Sequence, residues 1–149
     1  MIHFYTDEAV PMPRLRRRIV RFWLEEVARS YGREVGELSY QFCNDERILE
    51  VNREFLQHDY YTDIITFDDS HGSVVSGDLL ISLDTVRSNA QMLGVPYAEE
   101  LHRVLVHGLL HLCGLGDKTK TEAQIMRQAE DKALEVLGCM TGEGKRLFV

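Results

Sequence analysis

The most apolar segment of the chain, residues 104–115, contains two histidines. It is about a dozen residues long, whereas a membrane-spanning helix needs roughly 20 apolar residues. The segment is therefore too short to cross a membrane, and we expect it to be buried inside a folded protein. Apolar residues recur at helical spacing from Tyr97 onwards, and Gly114 can end the helix. The sequence predicts a buried helix over residues 97–113.

The same helix carries a pattern typical of metal sites. Residues 107–117 read HGLLHLCGLGD, which is H-x-x-x-H-x-x-G-x-x-D. Two histidines four residues apart lie one turn apart on the same helix face, so His107 and His111 can reach one ion. Gly114 then allows a left-handed cap, and Asp117 follows it as a potential third ligand. Three protein ligands with an open fourth position are typical of catalytic zinc.

A helical wheel places the two histidines nearly opposite the leucine stripe, where they can face a cleft. That stripe comprises Leu101, Leu105, Leu109 and Leu112. The alternative is a pair of structural histidines with satisfied hydrogen bonds, because H-x-x-x-H alone is a weak pattern. The glycine and the aspartate at fixed offsets favour the metal site. A peptidase of the H-E-x-x-H type needs a glutamate after the first histidine, but that position is Gly108, which disfavours a metallopeptidase.

Length and composition indicate one globular domain over residues 1–149, with a tail from about residue 141 expected to be mobile. The net charge is −7, from 17 basic and 24 acidic side chains. A general DNA-coating protein would be basic, so we expect no DNA partner. The three cysteines lack paired spacing, and residues 1–18 do not resemble a signal peptide. We expect a cytoplasmic protein with no membrane contact.

The order of the predicted elements is β-α-β-α-β-β-α-α-α, with a hairpin at Gly72. This order indicates an α/β (α+β) fold, in which five or so helices pack on a small mixed sheet of about four strands. The predicted strands cover residues 2–5, 37–44, 63–68 and 76–83, and the predicted helices cover residues 14–31, 45–56, 84–93, 97–113 and 121–137. Alternation in the second strand predicts that Leu38, Tyr40 and Phe42 lie on one buried face. The second helix is expected to point Ile48, Leu49 and Phe55 inward.

The densest basic cluster lies at the start of the first predicted helix. Arg14, Arg17, Arg18 and Arg21 have the i, i+3, i+4, i+7 spacing of one helix face. Such a face could bind phosphates, since guanidinium groups match phosphate geometry. A solvated helix face, with Glu25 paired to Arg21, explains the spacing equally well.

Three segments resemble the YbeY-type metal-dependent endoribonucleases, which act in ribosomal RNA maturation. They are HGLLHLCGLGD at 107–117, DYYTDIITFD at 59–68 and GDLLISLDTV at 77–86. Met126 and Glu130 also stand where that family usually has a methionine and a glutamate. The resemblance implies a small mixed sheet with helices packed on it and a metal helix similar to that of the zincins.

The resemblance also implies a zinc-dependent, single-strand-specific endoribonuclease with one Zn²⁺ per chain. Its partners would be small-subunit ribosomal RNA and the small ribosomal subunit, in RNA maturation and subunit quality control. The implied ligands are His107, His111 and Asp117, and water activated by the ion is the expected nucleophile. No general base is identified. The alternatives are a non-catalytic ribosome-assembly factor with a structural zinc site and, less favoured, a metallopeptidase.

The chain departs from the family pattern at two positions. Asp117 stands where the family commonly has a third histidine, although a carboxylate is also a competent zinc ligand. Leu56 stands where most members have an arginine that contacts substrate, and Arg53 and His58 are the nearest replacements.

Polar residues at the start of the third predicted strand are candidates to line a cleft beside the metal. They are Thr62, Asp63 and Thr66. For Thr62 and Asp63 we favour the simpler role of capping the strand or its turn.

Overall fold

The computed structural model describes residues 1–56 and 62–144. The strands are β1 (Ile2–Thr6), β2 (Glu34–Cys43), β3 (Ile64–Asp68) and β4 (Val74–Ser82). The helices are α1 (Arg17–Ser30), α2 (Asp45–Val51), α3 (Leu83–Leu93), α4 (Tyr97–Leu112) and α5 (Lys120–Thr141), and a π-helical turn, Asn52–Leu56, follows α2. No helix among the described residues is both long and apolar enough to span a membrane.

The four strands form one mixed sheet in the order β1-β2-β4-β3. β1, β2 and β4 run parallel, whereas β3 runs antiparallel to β4 and forms an edge of the sheet. The bridge between His71 and Val74 closes the β3–β4 hairpin around Gly72, as predicted. The predicted fold class, a small mixed sheet with five helices, is confirmed.

Alternation along the strands divides the apolar residues between the two faces of the sheet. Leu38, Tyr40 and Phe42 of β2 point to the main core, as their spacing predicted, and all three are fully buried. Trp23 of α1 lies in the same core and donates its indole N–H to the carbonyl of Ala133 on α5. A smaller cluster on the opposite face joins α2 to the sheet and comprises Cys43, Ile48, Val51, Ile65 and Leu80.

Helix α4 is the centre of the main core and contacts β3, β4, α1, α3 and α5. Its predicted extent agrees with the structure to within one residue at the C-terminus. Because other elements surround α4 on most sides, this helix can hold its side chains rigidly beside β3, at the edge of the sheet.

Tertiary contacts moved several predicted boundaries. The first helix begins at Arg17 rather than at residue 14, and Arg16 before it has a non-helical ψ of 78°. The last helix runs on to Thr141, beyond its predicted end at Gly138. A Cβ on Gly138 would lie 3.1 Å from the Cα of Gly144, so this glycine serves a close approach of the chain. Residues 145–149 of the predicted tail lie outside the described residues.

Two further predictions, the inward orientation of Phe55 and the arginine face of the first helix, are wrong. Phe55, predicted to point inward from a helix over 45–56, is 64% exposed because α2 gives way to the π-helical turn. The predicted arginine face is also divided. Arg14 precedes α1, and Arg21 donates to the carbonyl of Ile2 at 2.8 Å and stacks over the Phe4 ring rather than pairing with Glu25.

Candidate metal centre

Helix α4 and the loop after it bring together the three side chains of the H-x-x-x-H-x-x-G-x-x-D pattern. Gly114, with φ of +105°, adopts a conformation that favours glycine and lets the chain turn back. The turn returns Asp117 to the helix face that carries the two histidines. Its Oδ2 atom lies 3.5 Å from Nε2 of His107 and 3.3 Å from Nε2 of His111.

Hydrogen bonds at the other ring nitrogens decide which atoms can bind an ion. Nδ1 of His111 lies 2.9 Å from the carbonyl oxygen of Leu115, which can only accept. Nδ1 of His107 lies 2.6 Å from a carboxylate oxygen of Glu130. Both Nδ1 atoms therefore donate, and in a neutral ring each Nε2 keeps a lone pair directed at Asp117.

The spacing of the three atoms fits a set of metal ligands. Ligand atoms at the roughly 2.0–2.1 Å bond lengths of a tetrahedral site such as zinc's lie about 3.3 Å apart. Direct charge-assisted hydrogen bonds would be shorter, roughly 2.7–2.9 Å. One donor atom from each of His107, His111 and Asp117 lies within 4.8 Å of the others. Two imidazoles and one carboxylate thus form a site that can hold a divalent cation.

A cavity of about 400 Å³ opens in front of these atoms, between α4 and the edge strand β3. The described residues that line it are Thr62, Asp63, Ile64, Thr66, Asp68, His107, His111, Leu112 and Asp117. Thr62, Asp63 and Thr66 do line the cleft, and Thr62 also donates to the carbonyl of Ile64, as a turn cap would. Asp68 lines the cavity as well, although the sequence patterns did not indicate it. Asp68 is two residues after Thr66 on β3, and this spacing could have predicted that both side chains lie on the same face of the strand.

Three carboxyl groups near His107 favour a positive charge at this ring. Burial raises the pKa of Asp63, and the nearby His107 only partly offsets this. Burial alone would lower the pKa of His107, but the hydrogen bond that its ring donates to Glu130 and the charges of Glu130, Asp63 and Asp117 raise it. These carboxylates stabilise positive charge at the ring, and the same negative charges attract a metal ion.

Gly108 is not among the described residues that line this cavity, and it packs against the sheet. A Cβ built on it would lie 2.2 Å from Cδ2 of Leu79 and 2.8 Å from Cδ1 of Ile64, both side chains of the sheet. The position after the first histidine is therefore used for close packing of α4 on β3 and β4. A glutamate at this position would have to displace the Leu79 and Ile64 side chains, which disfavours a metallopeptidase further.

Comparison with known proteins identifies the family. The sequence matches the family described as Endoribonuclease YbeY over residues 3–138. The chain belongs to the endoribonuclease YbeY family. This confirms the resemblance of the three segments and the prediction that the protein is an enzyme of the endoribonuclease class.

Individual relatives within the YbeY family are similar over most of their length. The chain is 62% identical to "Endoribonuclease YbeY" of Porphyromonas gingivalis over 136 residues, covering 91% of this chain and 89% of that protein. It is 58% identical over 130 residues to the protein of the same name from Bacteroides thetaiotaomicron, covering 87% and 95%. The solution structure of TM1509 from Thermotoga maritima has the same fold, with a TM-score of 0.60 at 23% identity, covering 94% of this chain and 91% of that one.

The candidate substrate contacts from the YbeY resemblance, Arg53 and His58, are not tested by the described residues. Arg53 is exposed in the π-helical turn and is not among the described residues that line the cavity. His58 and the DYY part of the 59–68 segment lie outside the described residues. Arg53 and His58 thus stay predictions.

A buried carboxyl group near the site yields a stability prediction. Glu100 of α4 is 4% exposed, and within the described residues its Oε1 atom has no hydrogen-bond partner. Burial raises its pKa, although the charge of Arg103 opposes this. The folded state therefore favours the protonated form, and this contribution to stability is lost as the pH rises from the ordinary value of 4.5 through the raised value.

We expect Glu100→Gln to stabilise the protein by about 1 kcal/mol at pH 8, because the carboxylate charge at this position is then no longer buried. The gain should disappear below pH 4.5, where the wild-type group is neutral in both states. Urea denaturation at pH 8 and below pH 4.5 measures the difference in the free energy of unfolding between the variant and the wild type. Glu135→Gln, an exposed change on α5, is the control. A Glu100→Gln variant that is less stable than wild type at pH 8 would show that the ionised carboxylate stabilises the fold, which would contradict this prediction.

Proposed function

We propose that this protein is a zinc-dependent, single-strand-specific endoribonuclease that acts in ribosomal RNA maturation and small-subunit quality control. One observation supports the metal site more strongly than any other. Two Nε2 atoms, each with its opposite nitrogen engaged as a donor, converge on one carboxylate oxygen at 3.3 and 3.5 Å. His107, His111 and Asp117 would hold one zinc ion per chain.

A bound zinc ion would supply Lewis-acid polarisation of the phosphodiester and acidify water beside it. The side chains that bind the ion and those that line the cavity would have different roles. His107 and His111 present neutral nitrogens, and Asp117 adds one negative charge. Asp63 lies in the same cavity, where its raised pKa makes its ionised form a better proton acceptor than an ordinary aspartate.

The charge of the chain favours a local contact with RNA. The net charge is −7, and Asp63, Asp68 and Asp117 all line the cavity that would receive an anionic substrate. Binding along an extended RNA would require many more cationic contacts. We propose that the small ribosomal subunit is the partner that presents its RNA, with a single-stranded segment entering the cavity.

Metal analysis and RNA cleavage test this function together. Purified wild-type protein should carry about one zinc per chain and should cut a single-stranded RNA but not a duplex. His111→Ala should lose both the zinc and the cleavage, while His71→Ala, which removes an exposed histidine on the β3–β4 hairpin, should lose neither.

The other outcomes separate the alternatives. Zinc without cleavage in the wild-type protein would indicate the non-catalytic assembly factor. Equal cleavage by the wild-type protein and His111→Ala would point to a contaminating nuclease and would contradict the proposal.

A further inference from the structure

Glu130 touches the candidate metal centre from a different helix. It lies on α5, 23 residues after His107, and is 5% exposed. Its Oε2 atom lies 2.6 Å from Nδ1 of His107, on the side of the ring away from Asp117. A carboxylate is buried at such a place only if its negative charge is compensated.

Arg103 provides that compensation. Its Nη1 atom donates to Oε1 of Glu130 at 3.2 Å and lies 2.8 Å from Oδ1 of Asp131. Its Nε atom lies 3.8 Å from Glu100 on its own helix. The guanidinium therefore joins α4 to α5, and the two oxygens of Glu130 are each engaged by a different donor.

This arrangement determines the tautomer of His107. An ionised carboxylate only accepts hydrogen bonds, so Nδ1 of the ring must carry the proton. The lone pair is then at Nε2, the atom that faces Asp117. Because the carboxylate is held by Arg103, the ring also has one preferred orientation.

We propose that Glu130, anchored by Arg103, is a positioning residue that prepares His107 to bind the metal ion before the ion arrives. The proposal rests on the metal site of the proposed function. Outer partners of this kind typically contribute roughly 10–100-fold to metal affinity.

Glutamine at position 130 is a sharp test, because it keeps the shape but has one acceptor oxygen instead of two. Arg103 and His107 contact different oxygens of Glu130, so the single amide oxygen can occupy only one of these two positions. If it stays with Arg103, the amide NH₂ faces Nδ1 and favours the tautomer whose proton is on Nε2, which cannot bind metal.

The experiment measures zinc affinity by competition with a chromophoric chelator. Glu130→Gln should bind zinc roughly 10–100-fold more weakly than wild type, and Glu135→Gln, an exposed change on the same helix, should bind it as wild type does. Equal affinity in all three proteins would overturn the proposal. Thermal melting of each variant shows whether it is folded.

A second measurement does not depend on the metal or on activity. Nitrogen NMR of ¹⁵N-histidine-labelled, metal-free protein, at a pH where the imidazoles are neutral, reports which nitrogen of His107 is protonated. We expect Nδ1 in wild type and a shift towards Nε2 in Glu130→Gln. The same tautomer in both would overturn the positioning role. If the wild-type protein binds no zinc while the tautomer shifts, the proposed function fails but the control of the ring by Glu130 stands.

Discussion

Replacing Asp117 with alanine is expected to remove tight zinc binding and, with it, RNA cleavage. Asp117 is the one carboxylate of the candidate ligand triad, beside His107 and His111. Its Oδ2 atom faces the Nε2 atoms of both histidines. Loss of a direct ligand should weaken affinity by more than the roughly 10–100-fold typical of an outer partner. Zinc per chain after dialysis and competition with a chelator measure the effect.

Asp69→Ala is a matched control for this change. Asp69 is an exposed aspartate of the β3–β4 hairpin, and we expect its loss to leave zinc binding unchanged. Asp117→His should keep the ion, because an imidazole nitrogen is also a competent zinc ligand. Wild-type zinc affinity in Asp117→Ala would show that the third ligand is a different group.

Glutamate at position 108 is expected to destabilise the fold rather than create a peptidase. The Cβ alone would overlap Leu79 and Ile64, at 2.2 and 2.8 Å, and the carboxylate would be buried between α4 and the sheet without a partner. Overpacking and an unpaired buried charge together should lower the free energy of unfolding by about 3 kcal/mol or more. Urea denaturation measures this loss.

Two further variants separate the causes. Gly108→Ala keeps the steric conflict without the charge and should lose less stability. Gln124→Glu adds the same charge at an exposed position of α5 and should be close to wild type. A Gly108→Glu protein with wild-type stability and peptide-cleaving activity would contradict the packing role of this glycine.

Local spacing predicted the side chains that form the candidate triad. His107 and His111 share a face of any helix, and Gly114 allows the turn that returns Asp117. The alternation in β2 likewise predicted that Leu38 and Tyr40 point inward, and both are fully buried. These features follow from the periodicities of helices and strands, which act over a few residues.

Contacts between distant residues were not predictable in the same way. Arg21 binds the backbone of β1 instead of sharing a basic face with Arg14. Gly138 lies inside α5, since the chain after that helix passes close to it. In each case the deciding neighbour is not encoded in the local pattern.

The sequence by itself determined the metal-binding pattern, the class of fold and the family, because each depends on local spacing or on similarity along the chain. Only the tertiary structure decided what surrounds the pattern. It places Asp63 and Asp68 of the β3 side in one cavity with the histidines, and it brings Glu130 of α5 to Nδ1 of His107. The physical reason is that the packing of α4 against α5 determines which nitrogen of His107 is free, whereas the local carbonyl of Leu115 does this for His111.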